Sequence, residues 1–303
     1  MMGMGTKTKK QHYVPRFYLR NFSNPQNGRY TIWCFNKNDK HFFCTPVENI
    51  CFEKHFYGHG ESGEGLEQLF RDIEGNASNA IWEIVNRRSI TDLSQESKMS
   101  MSLFLASQFV RSKERRMLIK SMTTSLKEHL QNENLSEKLK NELQEIDTEE
   151  FIHSQHVSTI QSIPRYALLI NKMKWFVFFN TTPMPLWTSD NPLVLDNNLN
   201  RGSFGRLGLK CRGIEIHIPL NPMLSLAVVD PIYSLSFDAL PITDVQHIIY
   251  LNSLQVKQST MFVFSKDSNF NLAEKILMDL PDLGDPNRKR VTLGDTNKEV
   301  KTS

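Results

Sequence analysis

Three clusters of polar side chains have the types and spacing for chemistry. The first is QHYVPRFYLRNFS at 11–23. A neutral imidazole at His12 can serve as a base or a metal ligand, and Arg16 and Arg20 beside it can clamp an anion. A structural histidine bonded to backbone beneath the aromatic residues is the competing reading. The second cluster is TSDNP at 188–192. A carboxylate at Asp190 just past a strand can orient His12 or ligate a divalent metal ion, with Asn191 placing a substrate. Turn formation by Asp, Asn and Pro192 explains the same residues without chemistry. The third is SQFVRSKERR at 107–116. Gln108 and Arg111 are three apart and Arg115 follows one turn later, so one helix face would present them to phosphate groups. A solvated basic face is the alternative.

Other constellations are weaker. Cys34, Cys44, Cys51, His55 and His59 fall close together, but no CxxC knuckle is present and their spacings match no common zinc site. Cysteine in an aromatic strand behaves as a small hydrophobe. His153 and His156 lack the glutamate of HExxH and read as surface residues. No GxxxxGK[ST], GxGxxG or GxSxG sequence occurs, which removes support for P-loop, Rossmann and α/β-hydrolase readings.

The elements that must position these clusters follow from periodicity. RYTIWCF (29–35) and HFFCTPV (41–47) flank NKNDK and predict an N-terminal hairpin. GHGESGEG (58–65) reads as a turn-rich linker. Apolar residues three and four apart from Leu66 to Val85 predict a helix, and a second is expected from about Leu93 to Leu130. The second half returns to strands at KWFVFFNT (174–181), GIEIHIPL (213–220), MLSLAVVD (223–230) and MFVFS (261–265). A helix is expected over 241–260 with Thr243 as its cap. The class is α+β: an N-terminal β-hairpin, a helical middle section and a mixed or antiparallel sheet in the second half. The expected organisation is a disordered arm at 1–10 and a single domain over 11–281. A helical subdomain spans about 66–172, and a flexible tail covers 282–303.

The 303 residues carry 36 Lys+Arg and 33 Asp+Glu, a net charge of +3. That excludes a uniformly basic nucleic-acid binder but conceals local asymmetry. Residues 1–20 hold five basic and no acidic groups, 111–120 carry a net +4, and 131–150 carry a net −5. No apolar run approaches the roughly 20 residues of a membrane span. Four cysteines in a chain of this length form no disulfide scaffold, so a reduced cytoplasmic protein without a membrane partner is expected.

QHYVPRFYLRNFS and TSDNPLVL together resemble the hallmark segments of the DUF4238 family, a bacterial domain without an assigned reaction. Gln108 and Arg111, the step Pro219–Pro222 and Asn252 are similar too, and the resemblance spans about 11–265. It draws attention to His12, Arg16, Asp190 and Asn191 but supplies no chemistry. The resulting expectation is a hydrolase or nuclease of defence or toxin type acting on a phosphate-containing substrate, with nucleic acid or a nucleotide as partner. His12, Asp190 and Asn191 would be catalytic. Arg16, Gln108, Arg111 and Arg115 would bind substrate, and Asp190 would be the ligand of any divalent metal ion. The alternative is a non-enzymatic binding module in which the same residues form a structural polar network.

Overall fold

The computed structural model describes residues 10–58, 60–131, 133–199, 207–234 and 236–291. The first part runs β1 (Lys10–His12), α1 (Arg16–Arg20), β2 (Asn24–Gln26), β3 (Arg29–Asn36), β4 (His41–Pro46) and β5 (Phe52–Lys54). Six helices follow: α2 (Gly60–Arg87), α3 (Gln95–Arg111), α4 (Lys113–Leu130), α5 (Glu137–Glu145), α6 (Glu149–Ile160) and α7 (Ile163–Asn171). The rest comprises β6 (Lys174–Asn180), β7 (Thr188–Ser189), β8 (Val194–Asp196), β9 (Glu215–Asn221), β10 (Leu224–Val229), β11 (Ala239–Ile242), α8 (Val245–Gln258), β12 (Phe262–Ser265) and α9 (Asn271–Asp279). The chain is α+β, with the hairpin, helical middle and later mixed sheet that the periodicity predicts.

The strands form two main sheets. One has the order β11-β6-β10-β9-β8 and is mixed, because β11 runs parallel to β6. The other has the order β2-β3-β12-β7, with β4 also paired to β3. The hairpin β3–β4 therefore does not stand alone: β12, more than two hundred residues later, completes its sheet. Strand β6 shows why both faces of the first sheet are covered. Trp175 and Val177 point into the main core, while Phe176 and Phe178 pack on the other face. This is the side-chain alternation of a strand with helices or loops on both sides. The main core is continuous from Tyr13 through α2, α3 and α7 to Phe264.

Several boundaries differ from the sequence expectation. Helix α2 already begins at Gly60, so most of GHGESGEG is helical. The expected helix from Leu93 to Leu130 is broken in two at Ser112. That residue is extended (ψ 152°), and its hydroxyl accepts a hydrogen bond from the Arg115 amide, which makes it the N-cap of α4. Helix α8 is capped by Asp244 rather than Thr243. His156 is fully buried instead of on the surface, with Nε2 3.1 Å from the Val110 carbonyl oxygen and its ring edge-on to Phe56.

The expected tail from 282 is docked as far as Val291. Ser121 Oγ accepts hydrogen bonds from the Arg290 and Val291 amides, and Ser125 donates to the Val291 carbonyl. Arg290 forms a forked ion pair with Glu114, its Nε 2.6 Å from Oε1 and its second nitrogen 2.8 Å from Oε2. The basic RKR thus faces an acidic partner. Residues 1–9 of the expected arm and 292–303 of the tail lie outside the described residues. No helix among the described residues is long and apolar enough to cross a membrane.

Candidate functional site

The N-terminal motif builds one wall of a cavity of about 600 Å³. Strand β1 pairs antiparallel with β5, which sets His12 opposite Phe52, their rings 5.4 Å apart. Gln11 is buried and anchors the turn that follows β5: its Oε1 accepts from the Tyr57 amide at 2.7 Å. Tyr57 in turn donates its hydroxyl to the His12 carbonyl at 3.1 Å. Pro15, with φ −65°, precedes α1 and turns Arg16 toward the cavity mouth. Lys10, His12, Arg16, Arg20 and Arg71 line the space together with Glu48, Glu67 and Glu74.

Most of these charges are paired. Arg20 meets Glu48 at 3.6 Å and Arg71 meets Glu67 at 3.5 Å. Lys10 lies over the Phe52 ring, 4.3 Å from its centre. Arg16 is exposed and makes no ion pair among the described residues. His12 is the second free group. Its Nε2 is shielded from solvent and has no hydrogen-bond partner. Burial lowers the imidazole pKa to about 4, and Arg16 pushes in the same direction, against the pull of a hydrogen bond to the Glu48 backbone. At neutral pH the ring is therefore an uncharged proton acceptor beside an unpaired guanidinium.

Behind the cavity lies the polar pair from α3. Arg111 is fully buried. It donates to Glu74 Oε1 at 2.9 Å, and its plane lies over Phe70, 4.6 Å from the ring centre. With the Gln108 amide turned so that its oxygen faces the guanidinium, that oxygen accepts from Arg111 Nε at 2.9 Å and from a terminal nitrogen at 2.8 Å. Arg111 and Gln108 thus brace the lining residues Glu74 and Phe70 from behind rather than offering free donors to a ligand. The break at Ser112 takes Arg115 away from them: it lines a separate cavity with Asn191, so Gln108, Arg111 and Arg115 do not share a face.

The second hallmark segment is placed differently. Asp190 is fully buried and outside the His12 cavity. Its Oδ1 accepts from the Thr260 amide at 2.8 Å, and its Oδ2 accepts from Met261 at 2.8 Å and Phe262 at 3.0 Å. These are the donors of the tight connection from α8 to β12. Burial raises the Asp190 pKa, while Lys37 and the three amides oppose that rise. Lys37 is also fully buried and donates to the Val256 and Ser259 carbonyls at the end of α8, at 2.9 and 2.7 Å. Its desolvation lowers its pKa to about 7.

Asn191 Nδ2 donates to the Gln258 carbonyl at 3.0 Å, and Ser189 donates to Gln255 Oε1 at 2.7 Å. The amides Asn252, Gln255 and Gln258, three apart on α8, together bind the backbone of Trp187, Pro192 and Leu195. Both Asp190 oxygens are engaged by backbone donors, so this carboxylate does not fit a metal ligand. Among the described residues no three His, Cys, Asp or Glu side chains stand together as a metal site. The cysteines illustrate why: Cys34 is buried and Cys44 exposed, on opposite faces of the hairpin, and His59 lies outside the described residues.

His12 and Asp190 are thus not brought together, but their segments do touch through Tyr18. Its hydroxyl donates to the Pro219 carbonyl at 2.6 Å and lies 2.8 Å from Thr188 Oγ1, which joins the first hallmark, the second and the Pro219–Pro222 step. Glu48, Tyr57 and Glu74 are cavity residues that the sequence reading did not single out. Glu67, Arg71 and Glu74, at spacings of four and three on α2, were the available signal. No curated protein and no solved structure matches the chain. A family model described as protein of unknown function matches residues 10–269, from β1 to the connection after β12. The stretch holds both hallmark segments and the contacts that join them, and the chain belongs to the DUF4238 family.

Proposed function

We propose that the His12 cavity binds a phosphate-bearing substrate and that the chain is a hydrolase of nuclease type, with a nucleic acid or nucleotide as substrate. The observation that carries this reading is the pair of free groups at one opening: an unpartnered, uncharged His12 Nε2 and the unpaired Arg16 guanidinium. Arg16 binds a phosphate oxygen, and the planar guanidinium stabilises charge that develops there. His12 accepts the proton of the hydroxyl or water that bonds to phosphorus, the P–O bond to the leaving ester oxygen breaks, and that oxygen takes a proton from solvent. A pKa of about 4 makes this imidazole a weak base. Burial is the larger cause of that depression, and a bound phosphate opposes the Arg16 part of it, which raises the imidazole pKa. Arg111 and Gln108, behind the lining, hold Glu74 and Phe70 in place without touching substrate.

The alternative, a structural polar network, is favoured for the other hallmark by the full hydrogen-bond saturation of Asp190. Asp190 and Asn191 accordingly have no catalytic part in this proposal. The test is purified protein against single- and double-stranded RNA and DNA and bis(p-nitrophenyl) phosphate, with His12→Ala and Arg16→Met alongside. Expression in cells with nucleic-acid integrity followed runs in parallel. Cleavage lost in both variants at unchanged melting temperature supports the reading. Cleavage retained in His12→Ala, or no cleavage of any phosphodiester, overturns it.

A further inference from the structure

A second cavity, about 800 Å³, lies between the start of α4, the end of α8, β8 and the docked segment 281–291. Its chemistry differs from that of the His12 cavity. Phe109, Leu118, Leu193 and Leu195 give it hydrocarbon walls. Glu114 in its lining is engaged, because it accepts from Arg290, from Arg288 at 3.4 Å and from Thr260 at 2.8 Å. Asp285 Oδ1 is taken by the Asn287 amide of its own turn at 2.8 Å, and Asp282 stands exposed at the rim.

Arg115 has no such partner. Its guanidinium lies over the Phe109 ring, 4.9 Å from the centre, and makes no ion pair among the described residues. Its Nε is shielded from solvent and unbonded. Buried donors without acceptors are uncommon in folded proteins, so this one is poised for a group the chain does not supply. Arg288 and Arg290 also line the cavity but are held by Glu114, and Lys289 by Glu128, so exposed Lys257 in the last turn of α8 is the second lining cation without an ion pair among the described residues.

We infer that this cavity binds an amphipathic carboxylate, its head on Arg115 and its hydrocarbon body along Leu118, Leu193 and Leu195. A guanidinium fork matches a carboxylate in two parallel hydrogen bonds. One free fork above apolar walls suits a single anionic end. A polyphosphate would leave the leucines uncovered. The assignment is independent of the chemistry at His12.

The full chain is titrated calorimetrically with decanoate, with decanol as the uncharged body and acetate as the head alone. Decanoate is expected to bind once per chain, with decanol and acetate at least about tenfold weaker, a difference of about 1.4 kcal/mol. Arg115→Met, which keeps the hydrocarbon stem, is expected to lose about tenfold or more in decanoate affinity, while His12→Ala leaves it unchanged. Decanoate should also shift the Arg115 Nε–H resonance of the unaltered chain, a readout that does not depend on how the variant folds. Absent decanoate binding, equal binding of decanol, undiminished binding by a folded Arg115→Met or an unmoved resonance each overturn the assignment.

Discussion

The two hallmark segments use similar residues for opposite ends. Around His12 the side chains tie up backbone through Gln11 and Tyr57 and leave an imidazole nitrogen and a guanidinium without partners. Around Asp190 the side chains are engaged: the carboxylate by three amides, Ser189 by Gln255, and the Asn191 amide nitrogen by the end of α8. A carboxylate in a turn and a histidine beside a helix look equally chemical in a sequence. What separates them is saturation. A buried group whose hydrogen bonds are complete holds structure, whereas a group with spare capacity at an opening can act on something else.

The sharpest way to break this contrast is to exchange the expected effects. Asp190→Ala leaves three buried amides and Lys37 without their anion, and we expect a loss of about 3–5 kcal/mol or failure to fold, read by chemical denaturation. His12→Ala should cost far less stability while abolishing phosphodiester cleavage, measured as release of p-nitrophenol from bis(p-nitrophenyl) phosphate. If His12→Ala unfolds the chain as Asp190→Ala does, both segments are structural and the contrast is lost.

Arg111→Met comes next. It strands Glu74 and the Gln108 oxygen while keeping the stem over Phe70, and should cost about 2–4 kcal/mol in urea melts. Tyr18→Phe tests the seam between the segments. It removes one donor to Pro219 and the contact with Thr188, for a loss of about 1–2 kcal/mol, with the cavity residues undisturbed.

The pH dependence sharpens the comparison further. His12 and His156 both have folded pKa values of about 4 against an ordinary 6.5. Both are held neutral, so the unfolded chain binds more protons between these values. Stability is therefore full above pH 6.5 and declines as pH falls toward 4. For the fully buried His156 the decline is of the order of 3 kcal/mol, at about 1.4 kcal/mol per pH unit. His156→Gln should flatten that slope in melts run from pH 7 to 4. The smallest effect is on His12 itself: a saturating phosphodiester should raise its NMR-titrated pKa above 4, and a value that does not move would disconnect it from the anion at Arg16.

Much of the fold was legible because its signals are local. The hairpin at 29–47, the strands at 174–180, 215–221 and 224–229, and the helical middle all follow from period and turn residues. The break at Ser112 was also written locally, in a serine three residues before Arg115, but the surrounding helical pattern masked it. Its consequence is large, since it sends Arg111 into the core and Arg115 into another cavity.

By itself the sequence determined the α+β class, the family and which short segments carry unusual polar residues, because composition, periodicity and motif spacing act over a few neighbours. Only the tertiary structure decided which of those residues are free. Asp190 is satisfied by amides seventy positions later and Arg111 by a glutamate thirty-seven positions earlier. The RKR segment is held by Glu114 from more than a hundred and seventy positions away. Hydrogen-bond saturation and burial are set by such distant partners, and no reading of neighbouring residues contains them.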